Sequence, residues 1–114
     1  MADRILIVAR LTPGRRDDVA DRFAASDETE LPHALGVVRR DLYTYHDLYF
    51  HAVEFAGPSD EAMEAARDRD DFRRLSRELD PFVSPFDPAT WRSPKDAMAT
   101  RFYSWTQATG VELP

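Results

Sequence analysis

The spacing of apolar residues changes several times along the chain, and each change marks an element. Residues 4–10 place Ile5, Leu6, Ile7, Val8 and Ala9 in one unbroken run, which predicts a strand apolar on both faces. Val19, Ala20, Phe23 and Ala24 then recur at helical spacing, with Arg15, Arg16, Asp17, Asp18 and Arg22 largely off that stripe. The spacing predicts a helix over 13–25, with Thr12 as N-cap and Pro13 in the first turn. Asp27, Pro32 and Gly36 punctuate residues 26–36 as a loop or short helical turn. Residues 37–46 and 48–56 read as strands rich in Val, Tyr and Phe. His46-Asp47 forms a tight turn between them, without the glycine that the commonest two-residue hairpins prefer.

Gly57-Pro58-Ser59 ends the third strand and starts a second helix. Asp60 and Glu61 lie in its first turn, where the helix dipole favours them. Its apolar stripe runs through Met63 and Ala66 and resumes at Phe72, Leu75 and Leu79, so a bend is expected over the polar 67–71. Pro81, Pro85, Pro88 and Pro94 predict an irregular stretch over 80–96. Residues 97–106 are expected to form the last strand, ending Phe102-Tyr103-Ser104-Trp105-Thr106, with a frayed tail from Gln107. The order β-α-β-β-α-β predicts a ferredoxin-like α+β fold, an antiparallel sheet with its helices on one face. Strands apolar on both faces leave the second face uncovered, so a second copy is expected against it. The expected assembly is a homodimer, a dimeric α+β barrel.

Length and composition narrow the rest. At 114 residues the chain is expected to be one domain, 1–114, with its core over about 3–107 and a flexible tail over 108–114. There are no cysteines, which excludes disulfides and thiolate chemistry. The formal net charge is −6 and no basic stripe is present, so nucleic acid is not an expected partner. No apolar run is long enough to cross a membrane and no leader pattern is visible, so a cytoplasmic protein is expected.

The hairpin places side chains. With a two-residue turn, Tyr45 pairs with Leu48 and Leu42 with His51, so Arg40, Leu42 and Thr44 share a face with Tyr49, His51 and Val53. Arg40 is then the diagonal neighbour of His51. One titratable base, one permanent cation and apolar walls suit a polycarbonyl substrate. Histidine moves protons near neutral pH, and arginine stabilises an enolate oxygen. Aldol closure and dehydration need no metal or redox cofactor, and His33, His46 and His51 with scattered acids make no metal site. The pattern does not decide which sheet face this is. Other readings stay open: Asp27 could cap a turn with Glu30 three residues on, and Arg40 could pair with Glu54 or Asp41. Trp105 could be core, interface or a stacking surface for a flat product.

Four blocks carry a family resemblance across nearly the whole chain: Asp27-Glu28-Thr29-Glu30-Leu31-Pro32, Gly36-Val37-Val38-Arg39-Arg40, His46-Asp47-Leu48-Tyr49-Phe50-His51 and Phe102-Tyr103-Ser104-Trp105-Thr106. In sequence and spacing they resemble the tetracenomycin-type aromatic polyketide cyclase family. The family pattern has a histidine immediately before the aspartate of the first block, where this chain has Ser26. The resemblance implies a ferredoxin-like dimer that closes aromatic polyketide rings without a cofactor, in antibiotic or pigment biosynthesis. It implies His51, Arg40 and Asp27 as catalytic positions; Tyr49, Leu42 and Val53, which share the His51 face, and Trp105 as a stacking surface are then expected around the substrate. Other enzymes of a type II polyketide pathway are then the expected partners. Two alternatives share the same fold: a cofactor-free monooxygenase of anthrones, and a non-catalytic polyketide-binding subunit.

Overall fold

A computed structural model describes residues 3–92 and 94–113. Four strands form one antiparallel sheet: β1 (Asp3–Leu11), β2 (Val37–Tyr45), β3 (Leu48–Phe55) and β4 (Val83–Pro85), in the order β2-β3-β1-β4. That is the expected ferredoxin-like arrangement. Helices α1 (Arg16–Asp27), α2 (Leu31–Leu35), α3 (Ser59–Arg67) and α4 (Asp70–Leu79) lie on one face. Val19 and Phe23 of α1, Leu31 of α2 and Leu75 of α4 pack with Ala9, Leu11 and Tyr49 of the sheet. Ala62 of α3 packs on Val53 and Phe55. The residues involved on β3 alternate strictly, with Tyr49, His51, Val53 and Phe55 buried and their neighbours half-buried.

The first helix starts at Arg16 rather than at 13. Pro13-Gly14 instead makes a turn closed by the Arg15 N–H donating to the Thr12 carbonyl at 3.2 Å, and Gly14 has φ +77. Proline followed by a residue of positive φ is the signature of a type II turn, which competes with a helix start at the same proline. Gly36, φ +73, ends α2 in the left-handed conformation. The expected bend in the second helix is a full break between Arg67 and Asp70, giving α3 and α4. Asp3 accepts the Ser59 N–H at 2.9 Å, so the first strand supplies the acceptor for the start of α3.

The C-terminal third departs furthest from expectation. The fourth sheet strand is β4, inside the proline-rich 80–96, where Val83 pairs with Leu11 and Pro85 with Ala9. Proline is tolerated there because β4 is an edge strand. Of the strand expected over 97–106, Met98 and Ala99 alone reach the sheet, Met98 as a bridge to Ile7 and Ala99 by donating its N–H to the Leu6 carbonyl at 2.7 Å. β5 (Ser104–Thr106) instead pairs with β6 (Gly110–Glu112) as a separate two-stranded ribbon. Part of the tail expected to fray beyond Gln107 is therefore a strand. Phe102 is 80% and Trp105 59% exposed on this segment, and Leu6, Tyr43 and Tyr45 are exposed on the sheet face away from the helices.

Candidate active site

The hairpin register matches the sequence expectation. Tyr45 pairs with Leu48, Leu42 with His51 and Arg40 with Val53. His46 takes φ +56 at the turn, and the Leu11 N–H donates to the Asp47 carbonyl at 2.8 Å, tying the hairpin to β1. The face carrying His51 is the one under the helices, and the cavity it lines lies between sheet and helices within one chain. That cavity measures about 290 Å³. Its walls are mainly apolar, from Ile7, Val53, Leu35, Met63 and Phe72 among others.

Three side chains meet on its wall. Arg40 sends Nη1–H to Nε2 of His51 at 2.8 Å. Its other edge grips Asp27, with Nη2 2.8 Å from Oδ1 and Nε 3.1 Å from Oδ2. A two-point fork of this kind fixes the guanidinium plane. Arginine has no acceptor, so the shared hydrogen is arginine's and the His51 Nε2 is bare. The neutral imidazole then carries its proton on Nδ1. Three of the five guanidinium N–H groups are engaged, which leaves two for a ligand.

Phe23 supports both heads. Its ring meets His51 edge to face at 5.1 Å and lies 4.9 Å from the Arg40 Cζ. Phe23 and Asp27 are four residues apart on α1, one turn, so a single helix face supplies the floor and the carboxylate. Asp27 is the last residue of α1, where the helix dipole disfavours an anion and no basic residue stands in the last turn. The Arg40 pair offsets that cost. His51 is 8% exposed, and burial first, then the Arg40 charge, lowers its pKa from 6.5 to about 3.

Asp27, Arg40 and His51 are thus brought together, but Asp27 reaches His51 only through Arg40. It caps no turn; Thr29 does that, its Oγ1 accepting the Leu31 N–H at 3.2 Å. Arg40 pairs with neither Glu54, which takes Arg4, nor Asp41, which takes Arg39. Tyr49 and Val53 line the cavity, whereas Leu42 packs against the core cluster beside it. Trp105 stands outside on the β5–β6 ribbon, and the tryptophan that lines the cavity is Trp91. No pattern in 80–96 signals that role, because only the path of the chain past β1 brings Trp91 there. Nothing in the sequence marks Phe23 as a site residue except its i, i+4 relation to Asp27. His33 lies in α2, His46 in the turn, and no metal-binding cluster occurs among the described residues.

Comparison with known proteins identifies the family. Residues 3–106 match the family described as polyketide synthesis cyclase. The chain is 43% identical over 100 residues to polyketide synthase CurG of Streptomyces cyaneus, covering 88% of this chain and 94% of that protein. It is 39% identical over 106 residues to tetracenomycin F2 cyclase of Streptomyces glaucescens, covering 93% and 96%. The solved structure of that type-II polyketide cyclase superposes with a TM-score of 0.84 over 91% of this chain and 97% of its own. An uncharacterized protein of Streptomyces coelicolor is 48% identical, covering 88% and 91%. With family, sequence and fold in agreement over nearly its whole length, the chain belongs to the polyketide synthesis cyclases.

Proposed function

We propose that this polyketide cyclase closes a ring by an aldol-type addition and then expels water, with His51 as base and acid, Arg40 as oxyanion partner and Asp27 as the residue that positions Arg40. The observation that carries this reading is the fork-held Arg40 donating to a neutral His51 on the wall of an apolar cavity. A substrate carbonyl that takes one of the two unengaged Arg40 N–H groups sits beside the imidazole. As that contact draws Nη1–H off His51, the freed Nε2 lone pair takes a proton from the methylene beside the carbonyl, and Arg40 neutralises the oxygen as it becomes anionic. Without substrate His51 is a weak base, first because burial disfavours the imidazolium and second because the Arg40 charge repels the added proton. The developing enolate cancels that repulsion, so proton affinity rises as the transition state is approached. The enolate carbon then attacks a second carbonyl of the same chain, and His51 returns its proton to the alkoxide formed. Loss of that hydroxyl as water, with a neighbouring C–H proton leaving to base, restores conjugation. Each of these proton movements is internal, so no cofactor is needed.

The same reading takes the working unit to be a homodimer, supported by the exposed apolar residues on the free sheet face and on the β5–β6 ribbon. It places the protein in the cytoplasm beside other enzymes of a type II polyketide pathway. No described helix is long and apolar enough to cross a membrane.

His51→Ala is expected to lower the cyclisation rate by about 10²–10⁴, the usual worth of a general base, with the fold unchanged by circular dichroism. Unchanged turnover with tight substrate binding would instead identify a binding subunit. Oxygen uptake with an anthrone substrate would identify a monooxygenase.

A further inference from the structure

The cavity has a hydrogen-bond inventory of its own. The lining residues that bring polar heads to its inner wall are Arg40, His51 and Tyr49, whereas Ser76, Asp80, Ser84 and Trp91 are exposed. Arg40 and His51 are partnered with each other and with Asp27. Tyr49 is not. It is 5% exposed, it lines the cavity, and its hydroxyl makes no hydrogen bond to any described residue. Yet no fully buried polar atom is left unsatisfied among the described residues. The hydroxyl therefore keeps accessible surface, and the cavity is the open space that Tyr49 lines.

The Tyr49 ring is packed while its hydroxyl keeps accessible surface, so the hydroxyl is the part of this side chain that a molecule in the cavity can meet. Packing alone would be served by phenylalanine at this position. Tyr49 lies two residues from His51 on the same strand face, with ring centroids 6.3 Å apart. Both its neighbours at the site offer hydrogens: Arg40 through its two unengaged N–H groups, and neutral His51 through Nδ1–H. What the site lacks is an acceptor.

We infer that the Tyr49 hydroxyl is a substrate contact, donating a hydrogen bond to an acceptor oxygen of the bound polyketide, a carbonyl or the phenolate derived from it. Burial raises the phenol well above its usual range, and the Arg40 charge only partly opposes this, so the group stays a neutral donor at any physiological pH. Tyr49 thus selects for an oxygen at one place on a flat, apolar ligand. The inference deepens the cyclase reading and rests on it for the identity of that ligand.

The test uses two probes of the same shape and charge, anthraquinone-2-sulfonate and anthracene-2-sulfonate, titrated against the full chain and its Tyr49→Phe variant. The full chain is expected to prefer the quinone. Tyr49→Phe should weaken quinone binding by about tenfold, the worth of one buried hydrogen bond, and leave anthracene binding unchanged. Equal loss of both ligands would show a packing role and overturn the inference. So would no loss of either, or no preference in the full chain, since the hydroxyl would then serve only water. The cyclase reading is judged separately, by turnover of His51→Ala, so either claim can fail alone.

Discussion

At the scale of single residues, the site turns on one guanidinium with two duties. Arg40, its side chain 14% exposed, holds Asp27 with one edge and His51 with the other. This arrangement makes His51 a liability to the fold in acid. Its folded pKa of about 3 lies below its ordinary 6.5, so the unfolded chain binds the proton first as pH falls. The contribution is fully present above pH 6.5 and is lost as pH drops towards 3, because a depressed histidine favours the folded state only while deprotonated. At pH 5 the loss is about 2 kcal/mol relative to pH 7.5. Urea denaturation at both pH values should show a drop larger by about that amount in the full chain than in His51→Gln. Equal drops would mean that His51 titrates normally in the fold. The meeting of Arg40 and His51 was legible in the sequence, because the hairpin register follows from a period of two and a two-residue turn. The link through Asp27 was not, since a carboxylate at a helix end can equally serve as a cap. Only the approach of α1 to β2 decides that it meets Arg40.

At the scale of elements, the hairpin that carries His51 is held by a strained corner. His46 takes φ +56, a conformation that costs an L-residue about 1 kcal/mol or more and costs glycine little. The strand register, the backbone bond from Leu11 to Asp47 and the Arg10–Asp47 ion pair at 2.9 Å impose it. His46→Gly is accordingly expected to raise unfolding stability by about 0.5–1 kcal/mol, measured by urea denaturation at neutral pH. A loss of stability would mean that the His46 ring, edge to face on Tyr45 at 4.3 Å, contributes more than the backbone strain costs. The elements easiest to read were those with long, clean periods: β1, the β2–β3 hairpin, and the two halves of the second helix. The shorter ones were not. Pro13-Gly14 reads as a helix start or a type II turn, and the difference lies in the positive φ of the glycine, which a helix pattern does not reveal.

At the scale of the whole molecule, one sheet face is covered by helices and the other is not. Leu6, Tyr43 and Tyr45 are exposed on it, and Phe102, Tyr103 and Trp105 on the C-terminal segment. Apolar exposure on this scale is characteristic of a surface that associates. Size-exclusion chromatography with light scattering at micromolar concentration should give twice the chain mass, and Tyr43→Glu, which puts a charge in the middle of the face, should shift it towards one. A clean monomer for the unaltered chain would overturn the dimer. The sequence by itself determined the strand and helix order, the alternation of faces and the pairing of Leu42 with His51, because these depend on local periods of two and 3.6 residues and on a short turn. It also determined the family, through blocks spread along the chain. Tertiary structure alone decided that His51 faces the helices, that Asp27 reaches Arg40, that β4 comes from the proline-rich stretch and that Trp91 rather than Trp105 borders the cavity. Each of these depends on contacts between residues far apart in the chain, where the outcome is set by which surfaces can be buried together and not by any neighbouring pattern.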